Sequence, residues 1–149
     1  MPIQRRAFLA LSLAALAACA QKPQSAQNHS GRTPEMDRLV DKYAKLYDMP
    51  ASLIHRMIQR ESDYNAQARH GPYYGLMQIL PQTAQTMGYN GPASGLLDAE
   101  TNLKYAGKYL RGAWLLSHGS QDKAVYWYAH GYYYEAKRRK MLKETGLVG

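Results

Sequence analysis

Apolar residues recur at helical spacing along most of the chain beyond residue 33. Thr33-Pro34-Glu35 is a helix start: the Thr hydroxyl can accept from a first-turn amide, and Pro fits a position whose N–H has no helical partner. Met36, Leu39, Val40, Tyr43, Ala44 and Tyr47 then predict one amphipathic helix. A second is predicted from Pro50, with Leu53, Ile54, Met57 and Ile58 on one stripe; it stops soon after Glu61, where Asp63, Asn65 and Gly71-Pro72 favour turns. Gly75 to Leu80 reads as a short apolar connection into a helix from Pro81 to Met87, closed by Gly88. A loop around Gly91, Pro92 and Gly95 precedes Asp98, which caps a long helix bearing Leu103, Ala106, Tyr109, Leu110, Ala113 and Trp114 on one face. Gly119 ends it, and Ser120 opens a further segment through Ala124, Val125 and Tyr128. Gly131 interrupts, and a last basic helix is predicted from Tyr132 to Lys143. No alternation is long enough to predict a strand, and there is no internal repeat or Gly-rich phosphate loop. The pattern predicts a single all-α domain.

The chain has 149 residues, enough for one core and too few for two. Before the helices, Arg5 and Arg6 precede an apolar run from Ala7 to Leu16 that ends in small residues before Cys19. The run is too short to span a bilayer, and a basic start with a small-residue exit is what signal peptidases read. Arg5-Arg6-Ala7-Phe8-Leu9 also resembles a twin-arginine export signal, although Ala10 stands where Lys is common; general or twin-arginine export are both open. Leu16-Ala17-Ala18-Cys19 resembles a bacterial lipobox. Cys19 is the only cysteine, so no intramolecular disulfide is possible, and lipidation gives the lone thiol a use. Ala20 to Arg32 holds almost nothing to bury and reads as a flexible tether spanning about 20 Å. The expected division is a signal peptide over 1–18, a lipidated Cys and tether over 19–34, and the folded domain over 35–149. The expected location is the periplasmic face of the envelope, lipid-anchored, with the outer membrane favoured because Ala20 is not the Asp that signals inner-membrane retention.

The formal charge of +8 fits nucleic acid, an anionic envelope polymer or a merely solvated basic face. Removing residues 1–18 deletes Arg5 and Arg6, so the 19 basic residues become 17 against 11 acids. The basic character survives, but an exported chain without a recognisable reading helix is not expected to bind nucleic acid. Five scattered His residues with no i, i+4 pair predict no metal site, and no cofactor is expected. Tyr appears thirteen times and Phe once, a bias that wants a reason. Tyr126 and Trp127 are assigned to the core, and Tyr74 and Tyr128 to a groove wall.

Glu61 is the polar residue that the pattern does not accommodate. Helical geometry puts it about 20° from Ile54, 40° from Met57 and 60° from Ile58 around the axis, on the apolar face. A carboxylate there is either paired with a cation or raised in pKa by desolvation, and the second state suits a general acid. The surrounding residues add a specific signature. Ile58-Gln59-Arg60-Glu61-Ser62, Gly75-Leu76-Met77-Gln78-Ile79-Leu80-Pro81 with Thr83-Ala84, then Leu97-Asp98, Glu100-Thr101-Asn102-Leu103 and Gly107-Lys108-Tyr109-Leu110 resemble the soluble lytic transglycosylase family, over roughly residues 48–131.

The resemblance implies a lysozyme-like helical fold, related to goose-type lysozymes, around a glycan groove. It assigns Glu61 as the catalytic acid/base, Met77 and Gln78 to the substrate wall, and Tyr128 to the Tyr near the carboxylate. Ser62, His70 and Tyr74 are further substrate-binding candidates, as is His130 more weakly. The chain departs from the family at Ala129, where Asn is usual, and at His70, where Ser is frequent. The implied reaction cuts peptidoglycan glycan strands in a monomeric enzyme. The sequence shows no second acid for a two-carboxylate glycosidase, and the acetamido group of N-acetylmuramic acid can assist instead. A hydrolytic lysozyme, or a non-catalytic peptidoglycan-binding component of an envelope or secretion machine, are the alternatives. The basic side chains Lys137, Arg138, Arg139, Lys140 and Lys143 fit anionic wall polymer, lipid headgroups or plain solvation.

Overall fold

The computed structural model describes residues 31–148. The expected signal segment, Cys19 and the tether up to residue 30 lie outside the described residues. Among the described residues six α-helices carry the fold: α1 (Pro34–Leu46), α2 (Ala51–Ser62), α3 (Pro81–Thr86), α4 (Ala99–Leu116), α5 (Gln121–His130) and α6 (Tyr133–Arg138). A 3-10 turn covers Ala93–Leu97, and the short strands β1 (Arg69–His70) and β2 (Tyr73–Tyr74) form an antiparallel hairpin. The architecture is all-α and lysozyme-like. Among the described residues no helix is long and apolar enough to cross a membrane.

Capping chemistry sets three of the helix starts. Thr33 accepts from the Met36 amide at 3.1 Å, Asp98 from Thr101 at 2.8 Å and Ser120 from Lys123 at 3.3 Å. Helix α1 thus begins at Pro34, one residue before the expected domain boundary, and Arg32 reaches Asp37 at 2.7 Å, so the folded unit extends back beyond the helix. The stripe of α2 is fully buried at Leu53, Ile54, Met57 and Ile58. Four such side chains contribute roughly 6–12 kcal/mol of gross burial. Helix α4 is the hub: α1, α3, α5 and the 3-10 turn all pack on it.

Two expectations change. The last helix stops at Arg138 instead of running to Lys143, because Lys140 adopts a left-handed φ of 57° and the Met141 amide bonds back to Ala136 O at 2.8 Å. Thr145 then donates its hydroxyl to Met141 O at 2.7 Å, fixing the turn that follows. The hairpin is the other addition. Arg69 pairs with Tyr74 and His70 with Tyr73, and Tyr74 also bridges to Ile79.

The tyrosine bias has a structural reason. The hydroxyl of Tyr128 donates to Met77 O at 2.8 Å, that of Tyr132 to Tyr109 O at 2.9 Å and that of Tyr89 to Pro92 O at 2.8 Å. Tyr47 donates to Lys104 O. Each ring packs in the core or, for Tyr47, against it, while its polar tip ties off a backbone carbonyl, which Phe cannot do. Tyr109 stacks on Tyr132 at 4.7 Å and meets Tyr128 edge-on at 5.2 Å, giving the back of the molecule's cleft a rigid aromatic layer.

Candidate active site

Glu61 stands in the last turn of α2, carried to the surface of the core by the same stripe that buries Ile54, Met57 and Ile58. The helix ends because Asp63 takes a left-handed φ of 48°. The Glu61 carboxylate is 22% exposed and lies 3.4 Å from the Arg60 guanidinium, which is half in solvent. Desolvation raises the Glu61 pKa above its ordinary range, while the positive charge of Arg60 and the facing His70 oppose the rise. The sequence left pairing and desolvation as alternatives. Both operate, and desolvation is the larger.

Two clefts meet at this carboxylate. A larger one of about 630 Å³ runs along the end of α2 and includes Ser62, Asp63 and Asn65. A smaller one of about 250 Å³ is walled by Tyr73, Gln78, Tyr128 and Ala129. Arg60, Glu61 and His70 line both. Asp63, where a turn is expected, follows the end of the helix and lines the larger cleft.

A hydrogen-bond network built on Gln78 holds the facing wall. Gln78 has a left-handed φ of 47° and is buried, and its side-chain nitrogen donates to Ala68 O at 3.1 Å and Gly75 O at 2.7 Å. Those two carbonyls fix which way the amide points, so Oε1 must face His70. It accepts from the His70 amide at 3.1 Å and lies 2.9 Å from His70 Nδ1. Nδ1 therefore carries a proton and donates it to Oε1. Ser62 ties the wall to α2: its hydroxyl lies 2.8 Å from Leu76 O and 3.3 Å from Ile58 O. Tyr74 is half-buried, its hydroxyl accepting from Arg69 at 2.9 Å.

Several assignments need correction. Met77 is fully buried, so its side chain belongs to the core, and only its backbone supports the wall, through the bond from Tyr128. Tyr128 lines the cleft, but it is 9% exposed with its hydroxyl already engaged, so it contributes a ring edge more than a free hydroxyl. Burial and the nearby Glu61 push its phenol pKa well up, which keeps it neutral. Tyr126, assigned to the core, is 52% exposed, while Trp127 is partly buried against the core. His130 lies in a neighbouring cavity and does not line the cleft that holds Glu61. Among the described residues no group of three or more His, Cys, Asp or Glu side chains is placed to hold a metal ion.

Asn102 was missed as a supporting residue. It is fully buried in α4, accepts from the Met77 amide at 3.0 Å and donates to Tyr74 O at 2.9 Å and Leu96 O at 2.8 Å. The signals for it were its place in the Glu100-Thr101-Asn102-Leu103 motif and a polar residue beside Leu103 and Ala106 on an otherwise apolar face.

A half-buried carboxylate at the junction of two clefts, backed by a Gly-Leu-Met-Gln wall, agrees with the family comparison. The model of the transglycosylase SLT domain matches residues 38–145. The chain belongs to the transglycosylase SLT domain family. No solved structure matches the chain at a significant level. The matched span runs from within α1 to beyond α6, so every element that builds the cleft lies inside the SLT domain. Membership gives the domain a peptidoglycan-acting function of the lytic transglycosylase type.

Proposed function

We propose that this SLT domain cuts the β-1,4 bond between N-acetylmuramic acid and N-acetylglucosamine and leaves a 1,6-anhydro end, with Glu61 as the one acid/base. The observation that carries this reading is the desolvated Glu61 carboxyl, raised in pKa where two clefts meet. Neutral Glu61 gives its proton to the glycosidic oxygen as the C1–O bond breaks, while the substrate's acetamido oxygen supports the anomeric carbon. Glu61, now ionised, takes the proton of the muramic 6-hydroxyl as O6 bonds to C1. The carboxyl is restored and no water is consumed. Intramolecular attack gains the entropic advantage of a nucleophile already in place. His70, Gln78, Ser62 and Tyr128 shape the cleft, and Tyr74 holds the hairpin on which His70 stands. We also place the domain at the periplasmic face, anchored through a lipid on Cys19, on the strength of the sequence alone.

Asp63 supports a second reading. It lines the larger cleft with Glu61, and a second carboxylate in the cleft is what a two-carboxylate hydrolase requires. The products decide between the two. Purified sacculi digested with the wild-type protein should yield muropeptides one water lighter than their reducing-end counterparts, and Glu61→Gln should abolish release while retaining the native circular dichroism. Reducing ends would establish hydrolysis. Intact sacculi with bound wild-type protein would establish a binding component.

A further inference from the structure

The basic side chains divide into those that an acid already matches and those that none does. On α6 the Glu135 carboxylate takes Arg138 at 2.9 and 2.7 Å and Arg139 at 2.6 Å, so these two charges are matched. Lys108, Arg111 and Lys143 are not. The first two stand three residues apart on α4, hence on one face, and with Lys143 they line a cavity of about 610 Å³ between α4, the end of α3 and the segment after α6. Tyr47, Thr86 and Val148 supply apolar surface to its walls. Glu144 is the acid on its rim, but among the described residues no carboxylate lies in ion-pair range of Lys108, Arg111 or Lys143. Three cations against one carboxylate leave the cavity a net charge of +2. None of its lining residues lines the clefts at Glu61.

Backbone carbonyls hold the two half-buried cations in place. Lys108 Nζ donates to Met87 O at 3.0 Å and Arg111 Nη1 to Glu144 O at 3.0 Å. Each bond uses a single N–H, which leaves most of both donor sets unspent, and Lys143 adds its own. The facing wall is equally fixed. The Leu147 amide bonds to Leu142 O at 2.9 Å, and a Cβ on Gly112 would meet Thr145 O at 2.9 Å, so this segment lies directly against α4. A Cβ on Gly146 would stand 3.4 Å from Lys108 Cε, so the glycine leaves the ammonium stem its room. Convergent donors without an acidic partner call for a compact anion with several acceptor oxygens. A phosphate monoester carries about −1.5 to −2 charges near neutral pH, which answers the net charge of the cavity, whereas a single carboxylate leaves half of it unmatched. Its oxygens also suit the guanidinium fork of Arg111 beside the point charges of the two lysines.

We propose that this cavity binds a phosphate monoester through Lys108, Arg111 and Lys143, presented as a phospholipid headgroup or as free phosphate. The site is independent of the reaction assigned to Glu61, because the two share no residue. Of the basic residues that follow α5, Lys143 alone lines it.

The test follows the backbone amide resonances of the full chain by heteronuclear NMR during titration with inorganic phosphate. A second arm uses dihexanoylphosphatidic acid below its micelle-forming concentration, and a third uses acetate. Saturable shifts should centre on Gly88, Lys108 and Gly146, with a Kd of about a millimolar for phosphate and acetate about tenfold weaker. Lys108→Gln with Arg111→Gln should weaken phosphate binding at least about tenfold, while each Gln amide keeps a donor for the carbonyl that the cation held. Lys143→Gln, at an exposed side chain, should weaken it about threefold and serves if the double variant does not fold. Lys137→Gln with Lys140→Gln, outside the cavity, should leave Kd within about twofold. Tighter binding of the lipid than of phosphate supports a headgroup as the occupant, and equal or weaker binding supports free phosphate. The site is overturned by the absence of saturable shifts with both phosphate probes, by shifts centred elsewhere, or by acetate binding as tightly as phosphate. A Kd unmoved in Lys143→Gln, or moved as far by Lys137→Gln with Lys140→Gln, overturns it as well.

Discussion

Replacing Asn102 by Leu keeps nearly the same side-chain volume while removing every hydrogen bond that the amide makes. The Met77 N–H, bonded to Asn102 Oδ1 at 3.0 Å, is left without a partner in the interior. Leu96 O loses the donor at 2.8 Å, and Tyr74 O loses one of two, since the Ile79 amide still reaches it at 3.1 Å. A stranded buried amide costs about 1–3 kcal/mol and each lost carbonyl bond roughly 1 kcal/mol, so the variant should be destabilised by about 3–5 kcal/mol. Against the 5–15 kcal/mol typical of a domain, that loss is large but leaves a folded population to measure.

Urea unfolding followed by circular dichroism measures the loss, and an unchanged m-value would show that the same surface is exposed. Native-state hydrogen exchange locates it: the Met77 amide should lose protection well before the amides of α2. Because the same segment carries Gln78 and hence the His70 loop, sacculus digestion should fall further than the unfolded fraction accounts for. A destabilisation below about 1 kcal/mol, or a Met77 amide as protected as before, would refute the view that Asn102 clamps the wall of the cleft to α4.

The carboxyl at position 61 should also cost stability when ionised. Its pKa is raised on folding, so the folded chain holds the proton more tightly than the unfolded chain, and stability falls as pH rises from the ordinary 4.5 through the raised value. Glu61→Gln cannot ionise; differential scanning calorimetry should find its Tm equal to wild type at pH 4 and higher at pH 7, and a lower Tm at pH 7 would contradict the desolvation argument. Tyr128→Phe removes the donor to Met77 O from a buried site and should cost about 1–2 kcal/mol in urea unfolding; an unchanged midpoint would show that the hydroxyl bond is dispensable.

The helices were legible because an amphipathic period reports burial directly, and α1, α2, α4 and α5 each carry one. Tyr126 was misplaced for a reason that the same geometry corrects: about 100° per residue sets it roughly 200° from Ala124, off the buried face, although its residue type suggests core. The hairpin was hidden because two-residue strands contain no period to read. Its register is set by distant partners, with Gln78 bonding to Ala68, Gly75 and His70. Gly75 shows the same dependence: a Cβ there would stand 2.3 Å from Leu96 O and 2.4 Å from Asn102 Nδ2, so the wall fits only because that residue has no side chain. These contacts matter to the candidate site beyond packing. The stripe on α2 brings Glu61 to the edge of the core, but a carboxyl at the end of a bare amphipathic helix would be hydrated, with nothing to raise its pKa. Ser62 bonded to Leu76 O, Gln78 bonded across the loop and Tyr128 bonded to Met77 O bring the opposite wall close enough to displace that water. The sequence therefore singles out Glu61, whereas the desolvation that raises its pKa depends on bonds between segments that no local pattern records.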